Sequence, residues 1–132
     1  MAGEVAFLGP EWLGLVAGAY ADLPPRPGAD VVVEHTVTGV PGRGDVTYWT
    51  AFEAGRLVGC DAGARPDATV TMTAPYALAA EVATGAVEPG VAVMQGRAKV
   101  RGDEAALLRL LALTATPAYR AATRRLAEHT RT

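Results

Sequence analysis

The spacing of hydrophobic positions changes several times along the chain, and each change marks an element. Leu13, Val16 and Tyr20, with Trp12, Leu15 and Ala19, recur at helical spacing after Gly9-Pro10. Proline suits the first turn of a helix, so a helix is predicted to open there. DLPPRPGAD (22–30) ends it, because three prolines cannot continue a helix. This is the most linker-like stretch, although too little chain precedes it to form another domain. VVVEHTVTGV (31–40) is β-branched and reads as a strand, and PGRGD (41–45) as a turn. VTYWTAFEAG (46–55) reads as a second strand with Val46, Tyr48, Thr50 and Phe52 on one face and Trp49 on the other. EAGR (53–56) turns into LVGCD (57–61), completing an antiparallel meander. After the loop GARPD, ATVTMT (68–73) is a fourth strand whose Val70 and Met72 share a face.

The period then becomes helical. Tyr76, Ala79, Ala80 and Ala83 fall at i, i+3, i+4 and i+7, and Leu78 and Val82 at i, i+4. Thr73 is the expected N-cap, Pro75 falls in the first turn and Gly85 supplies the stop. Pro89 introduces GVAVM, one short helical turn. In MQGRAKVRGD (94–103), Arg97, Lys99 and Arg101 alternate with Ala98 and Val100, the pattern of a strand with one wet and one dry face. Gly102 turns, Asp103 caps, and EAALLRLLAL (104–113) is a strongly apolar helix. Thr116-Pro117 breaks it before a last helix at 118–129 that carries Arg120, Arg124 and Arg125. Strands followed by sheet-packed helices predict an α+β (α/β) fold with one mainly antiparallel sheet and helices on one face.

At 132 residues, half hydrophobic and a fifth charged, the chain is expected to form one soluble globular domain over 1–132. A formal net charge of −2 argues against a nucleic-acid partner. The charge is uneven: residues 1–96 carry 4 Lys/Arg and 11 Asp/Glu, and residues 97–132 carry 8 and 3, so −7 is followed by +5. Such a cationic end suits peripheral contact with anionic membrane, although a solvated helix face is the default reading. Cys60 is the only cysteine, which excludes an internal disulfide and a cysteine-based metal cage. MAGEVAFLGP has no basic leader and no long apolar run, and no stretch approaches a membrane span, so a cytoplasmic protein is expected.

The chain lacks Ser, Asn and Ile, so no serine triad exists, and its two histidines, His35 and His129, have no zinc-type spacing. Neither a metal nor a cofactor is expected. TGVPGRG (38–44) leads into Asp45 and a strand, so it reads as a hairpin loop and not as a phosphate cradle. Cys60 beside Asp61 could meet His35 as a nucleophile–base pair across strands, but nothing marks an oxyanion hole, and a small buried hydrophobe is the plainer reading. Glu53, Glu81 and Glu88 form no evident acid–base dyad. Gln95, the only side-chain amide, either satisfies backbone groups between helix and strand or meets the polar head of a ligand. Leu107, Leu108, Leu110, Leu111 and Leu113 cover more than one helix face, so a second apolar surface or a ligand cavity must meet them.

In order and spacing, GDVTYWTAFEAGR (44–56), DATVTMTAPYALAAEVATGAVEPG (67–90) and AVMQGRAKVRGDEAALLRLLAL (92–113) resemble the sterol carrier protein 2 (SCP2) sterol-binding domain family, over about residues 31–113. The resemblance implies a five-stranded sheet backed by helices, with an apolar tunnel between them that takes fatty acids, acyl-CoA, sterols or similar lipids without chemistry of its own. It places Met72, Leu78, Val82, Val93, Met94, Gln95, Leu107, Leu110 and Leu111 along the tunnel and assigns no catalytic residue. The chain ends His129-Thr130-Arg131-Thr132, unlike the targeting tripeptide of peroxisomal members. Residues 114–132 run past the family's usual end as an extra helix that would plug the tunnel, lid it or form a dimer. Two other functions stay open. One is a biosynthetic enzyme, of cyclase or isomerase type, drawing on Gln95, Tyr48, Tyr76, His35 and Cys60. The other is an interaction module that dimerises through its last helix.

Overall fold

A computed structural model describes residues 4–132. In chain order the elements are β1 (Val5–Ala6), α1 (Pro10–Ala19), β2 (Val31–Val40), β3 (Gly44–Glu53), β4 (Arg56–Ala62), β5 (Val70–Pro75), α2 (Tyr76–Ala83), α3 (Pro89–Met94), β6 (Lys99–Gly102), α4 (Glu104–Thr114), α5 (Pro117–Ala127) and β7 (Thr130–Arg131). Five strands form one sheet in the order β4-β3-β2-β5-β6. Every pair in it is antiparallel except β2 and β5, which run parallel. The α+β class and the mainly antiparallel sheet expected from the sequence are therefore what the chain forms.

Strand alternation sorts the sheet into two faces. Val31, Val33 and Val37 of β2, Phe52 of β3 and Val70 of β5 point inward, and Val33 and Val70 have no exposed surface. On the other face Trp49 lies under the Arg65 guanidinium, 4.2 Å from ring centroid to carbon, and the Arg65 amide donates to Glu34 at 2.6 Å. Only one face thus needs cover, which suits an antiparallel sheet. The β3–β4 turn is tight because Ala54 and Gly55 both take positive φ (50° and 81°), the geometry of a two-residue hairpin.

The linker-like stretch at 22–30 is packed. The Arg26 amide donates to Ala54 O at 2.7 Å, Gly55 donates to Ala29 O at 3.0 Å, and Leu23 and Ala29 are buried. Hydrogen bonds to the β3–β4 turn satisfy its backbone, which is how a proline-rich segment without regular structure can be ordered. Thr73 does not cap α2. β5 continues through Pro75, which takes the N-cap position in extended conformation, and no side chain caps the helix. Asp103 does cap α4, accepting from the Ala106 amide at 3.1 Å. Thr116 caps α5, accepting from Tyr119 N at 3.2 Å.

The β1–β7 pair is not legible from periodicity. Two residues from each end run parallel, held by Val5 N to His129 O at 2.8 Å and Phe7 N to Arg131 O at 3.0 Å. This clasp fixes Phe7 and Leu8 in the core.

Gly102 closes β6 at φ 128°, and a Cβ there would collide with the carbonyl of Thr69, the residue just before β5. Gly102→Ala is expected to destabilise the fold by about 2 kcal/mol through backbone strain and displacement of the β5–β6 edge. Thermal unfolding of the variant checks this.

Candidate functional site

The inner sheet face and the helices do not close completely on one another. Between them lies a cavity of about 380 Å³. That is roughly the liquid volume of a dozen waters at ~30 Å³ each, and it falls within the range of small-molecule sites. All five helices contribute to its wall, with Trp12 and Val16 from α1, Leu78 and Val82 from α2, Ala92 from α3, Leu110 and Leu111 from α4, and Leu126 from α5. The lining is mostly apolar, because amphipathic helices turn their apolar stripes to the sheet.

The sheet side is different. Tyr48, His35 and Met72 occupy one row across β3, β2 and β5, as register partners. Thr50 sits two residues from Tyr48 on the same face. The His35 ring stacks on the Tyr48 ring, with centroids 4.5 Å apart and planes 6° from parallel. His35 Nε2 pairs with Thr50 Oγ1 at 3.0 Å. Burial pushes the His35 imidazole down to about 4, so it is neutral at pH 7. Burial also holds the Tyr48 phenol well above its ordinary value, with negative charge on Cys60 or Tyr20 opposing ionisation further. A second polar group lies between α1 and α5: Tyr20 Oη and Thr123 Oγ1 are 2.8 Å apart, and the Tyr20 and Tyr119 rings stack at 4.5 Å. Burial raises the pKa of both phenols.

Five of the residues expected along the tunnel line the cavity: Met72, Leu78, Val82, Leu110 and Leu111. Val93, Met94, Gln95 and Leu107 are not on its wall. In α3 the buried residue is Ala92, and Met94 lies two positions on, about 200° around the helix. Met94 is accordingly 86% exposed. Gln95 is the exposed C-cap of α3, and its amide N–H donates to Val91 O at 2.9 Å. Leu107 is partly buried and packs against the core. Residues 118–127 do not project away. Ala122 has no exposed surface, Leu126 is buried, and Tyr119, Thr123 and Leu126 of α5 form part of the cavity wall.

The nucleophile–base arrangement does not form. His35 bonds Thr50, while the Cys60 thiol points to Leu13 O at 3.9 Å under α1 and is absent from the cavity wall. Burial, reinforced by Asp61, pushes that thiol up to about 11, so it is protonated and unreactive at neutral pH. The Tyr76 hydroxyl donates to the Thr132 carbonyl at 3.1 Å, outside the cavity. Among the described residues no group of three or more His, Cys, Asp or Glu is placed to hold a metal ion. No helix among them is long and apolar enough to cross a membrane. The cavity-wall residues missed by sequence reasoning include Phe7, Trp12, Val16, Tyr20, Tyr119 and Leu126. All six lie outside the stretch that resembles a family, and helical spacing is the signal for all but Phe7, which precedes α1 and carries none.

A comparison with curated proteins finds no match. Among solved structures, a crystal structure of sterol carrier protein 2 superposes with a TM-score of 0.70 at 19% identity, covering 93% of this chain and 98% of that one. The solution structure of the conserved hypothetical protein TT1886, possibly sterol carrier protein, from Thermus thermophilus gives 0.67 at 19% identity, covering 97% and 96%. That of palmitated SCP2L2 from Aedes aegypti gives 0.60 at 18%, covering 80% and 90%. At such identities the likeness establishes the fold alone. The sequence profile of the SCP-2 sterol transfer family matches residues 28–115, from the end of the proline-rich loop to the end of α4, which is two thirds of the molecule. On that match the chain belongs to the SCP-2 sterol transfer family.

Proposed function

We propose that this protein binds and carries an apolar small molecule, such as a fatty acid, acyl-CoA, sterol or similar lipid, in the cavity between sheet and helices. The observation that carries the reading is the mostly apolar cavity of about 380 Å³, enclosed by all five helices. Burying each CH₂ gains ~0.8 kcal/mol against water, so a ten-carbon tail offers ~8 kcal/mol gross. Association takes back several of these. Against a bilayer the gain nearly cancels, because lipid is equally apolar, so such a site loads and releases without chemistry. The reading includes a tunnel through which the ligand enters, and a cytoplasmic carrier whose lone, unpaired thiol suits a reducing compartment. Docking on anionic membrane is part of it too. α3 exposes Val91 and Met94, and Arg97 and Lys99 follow directly.

The enzyme reading gains one observation, the meeting of His35 and Tyr48 in the cavity. Their protonation states oppose it. Proton transfer is most efficient when a group titrates near the working pH, whereas His35 is a weak base at about 4 and Tyr48 a poor acid. The dimer reading loses support because α5 buries its apolar face within its own chain.

Displacement of a fluorescent fatty acid by unlabelled lipids of several chain lengths tests the carrier reading. Saturable binding with length-dependent competition is expected, and no binding at any length would refute it.

A further inference from the structure

Among the described residues, the His35 ring has no hydrogen-bond partner apart from Thr50, and the Tyr48 hydroxyl has none. Yet neither is sealed off. The only enclosed side-chain polar atom without a partner among those residues is Trp12 Nε1. Both residues line the cavity, so their free atoms open onto it. They are register partners on central strands β2 and β3, and their rings stack at 4.5 Å, so the two groups are held as a rigid pair. Buried polar groups demand partners, and a pair left open on a cavity wall calls for one from the ligand.

We propose that the sheet floor of the cavity is a polar anchor in which His35 and Tyr48 hydrogen-bond a neutral oxygen, a hydroxyl or a carbonyl, on an otherwise apolar ligand. This deepens the carrier reading and rests on it. A neutral imidazole has one donor and one acceptor nitrogen and a phenol serves as both, so the pair suits an alcohol or a ketone. It does not suit a carboxylate, because no cation among the described residues stands on the sheet floor. The cations on the cavity wall, Arg120 and Arg124, belong to α5, where Arg120 already bonds Glu88 at 3.0 Å. An ionised head therefore stays at the α5 side, and a neutral oxygen is drawn to the sheet.

The test uses the full chain with the hydrocarbon fluorophore diphenylhexatriene, displaced by dodecane, 1-dodecanol, 2-dodecanone or ionised dodecanoate. Tyr48→Phe removes one hydroxyl that has no partner among the described residues, so the fold should persist. We expect it to weaken dodecanol and dodecanone roughly tenfold, the scale of one hydrogen bond in a water-poor site, and to leave dodecane and dodecanoate unchanged. In the wild-type chain, the ring ¹⁵N signals of His35 should shift with dodecanol and not with dodecane. If the variant weakens all four ligands equally, or if His35 responds identically to alcohol and hydrocarbon, the anchor is overturned while carriage stands. If the fluorophore does not bind and none of the four ligands is taken up, the carrier reading falls with it.

Discussion

Ala79→Trp is expected to abolish ligand uptake without unfolding the protein. Ala79 lies on α2, is partly buried, and faces the cavity. An indole there would occupy space that the account assigns to the ligand. Filling an apolar void is ordinarily neutral or stabilising where the wall can accommodate the ring, unlike overpacking a core that has no free volume. Affinity for any apolar ligand should fall at least ~100-fold, about 2.7 kcal/mol, while the unfolding midpoint stays constant or rises. The measurement is displacement titration beside thermal unfolding of the same sample. Unchanged affinity in a folded variant would place the ligand elsewhere on the molecule.

His35 should make stability depend on pH. Its pKa is lowered by burial from the ordinary 6.5 to about 4. Between those values the unfolded chain binds a proton that the folded chain does not, so stability rises with pH across the window and is lost as pH falls from 6.5 towards 4. Above that window the histidine contributes no slope. The whole shift corresponds to about 3 kcal/mol, an upper bound because water in the cavity would soften the burial penalty. Chemical denaturation across and above that pH window checks this, with His35→Leu expected to flatten the profile. A wild-type slope that survives the substitution would assign the dependence to other groups. Ligand coupling gives the same account a second readout, since a molecule seated against neutral His35 should lower its pKa further and bind more weakly as the pH drops.

Much of the sheet was legible in the chain. Alternation alone placed Tyr48, Thr50 and Phe52 on one face of β3 and Trp49 on the other, and the structure puts the first three on the cavity side and Trp49 against Arg65. The tight turn at 53–56 and the Asp103 cap were readable because Gly55 and Asp103 supply the local chemistry each needs, although the positive φ that Ala54 takes beside Gly55 was not. The β1–β7 clasp was not, because two-residue strands have no period and their partners lie at opposite ends of the chain. Thr73 looks like a cap in the sequence but is not one, because tertiary pairing with β2 carries β5 on to Pro75, past the point where local propensity would end it.

The site was less legible than the fold. Periodicity tells which residues turn inward, but not which inward residues meet a void instead of a neighbour. Val33 and His35 alternate on one face of β2, yet one is sealed in the core and the other lines the cavity. Gln95 draws attention by its rarity, but α3 ends before it, so its side chain sits on the exterior. In the sequence His35 suggests a base for Cys60 or one of several polar cavity candidates, whereas register sets it directly beside Tyr48.

Native mass spectrometry on the purified chain tests the central claim most directly. Protein incubated with a mixture of long-chain fatty acids, alcohols and sterols, then freed of excess by gel filtration, should carry the added mass of one apolar molecule. That mass should vanish on denaturation and be missing in Ala79→Trp. A wild-type chain that retains only its own mass, across every class of lipid offered, would contradict the account.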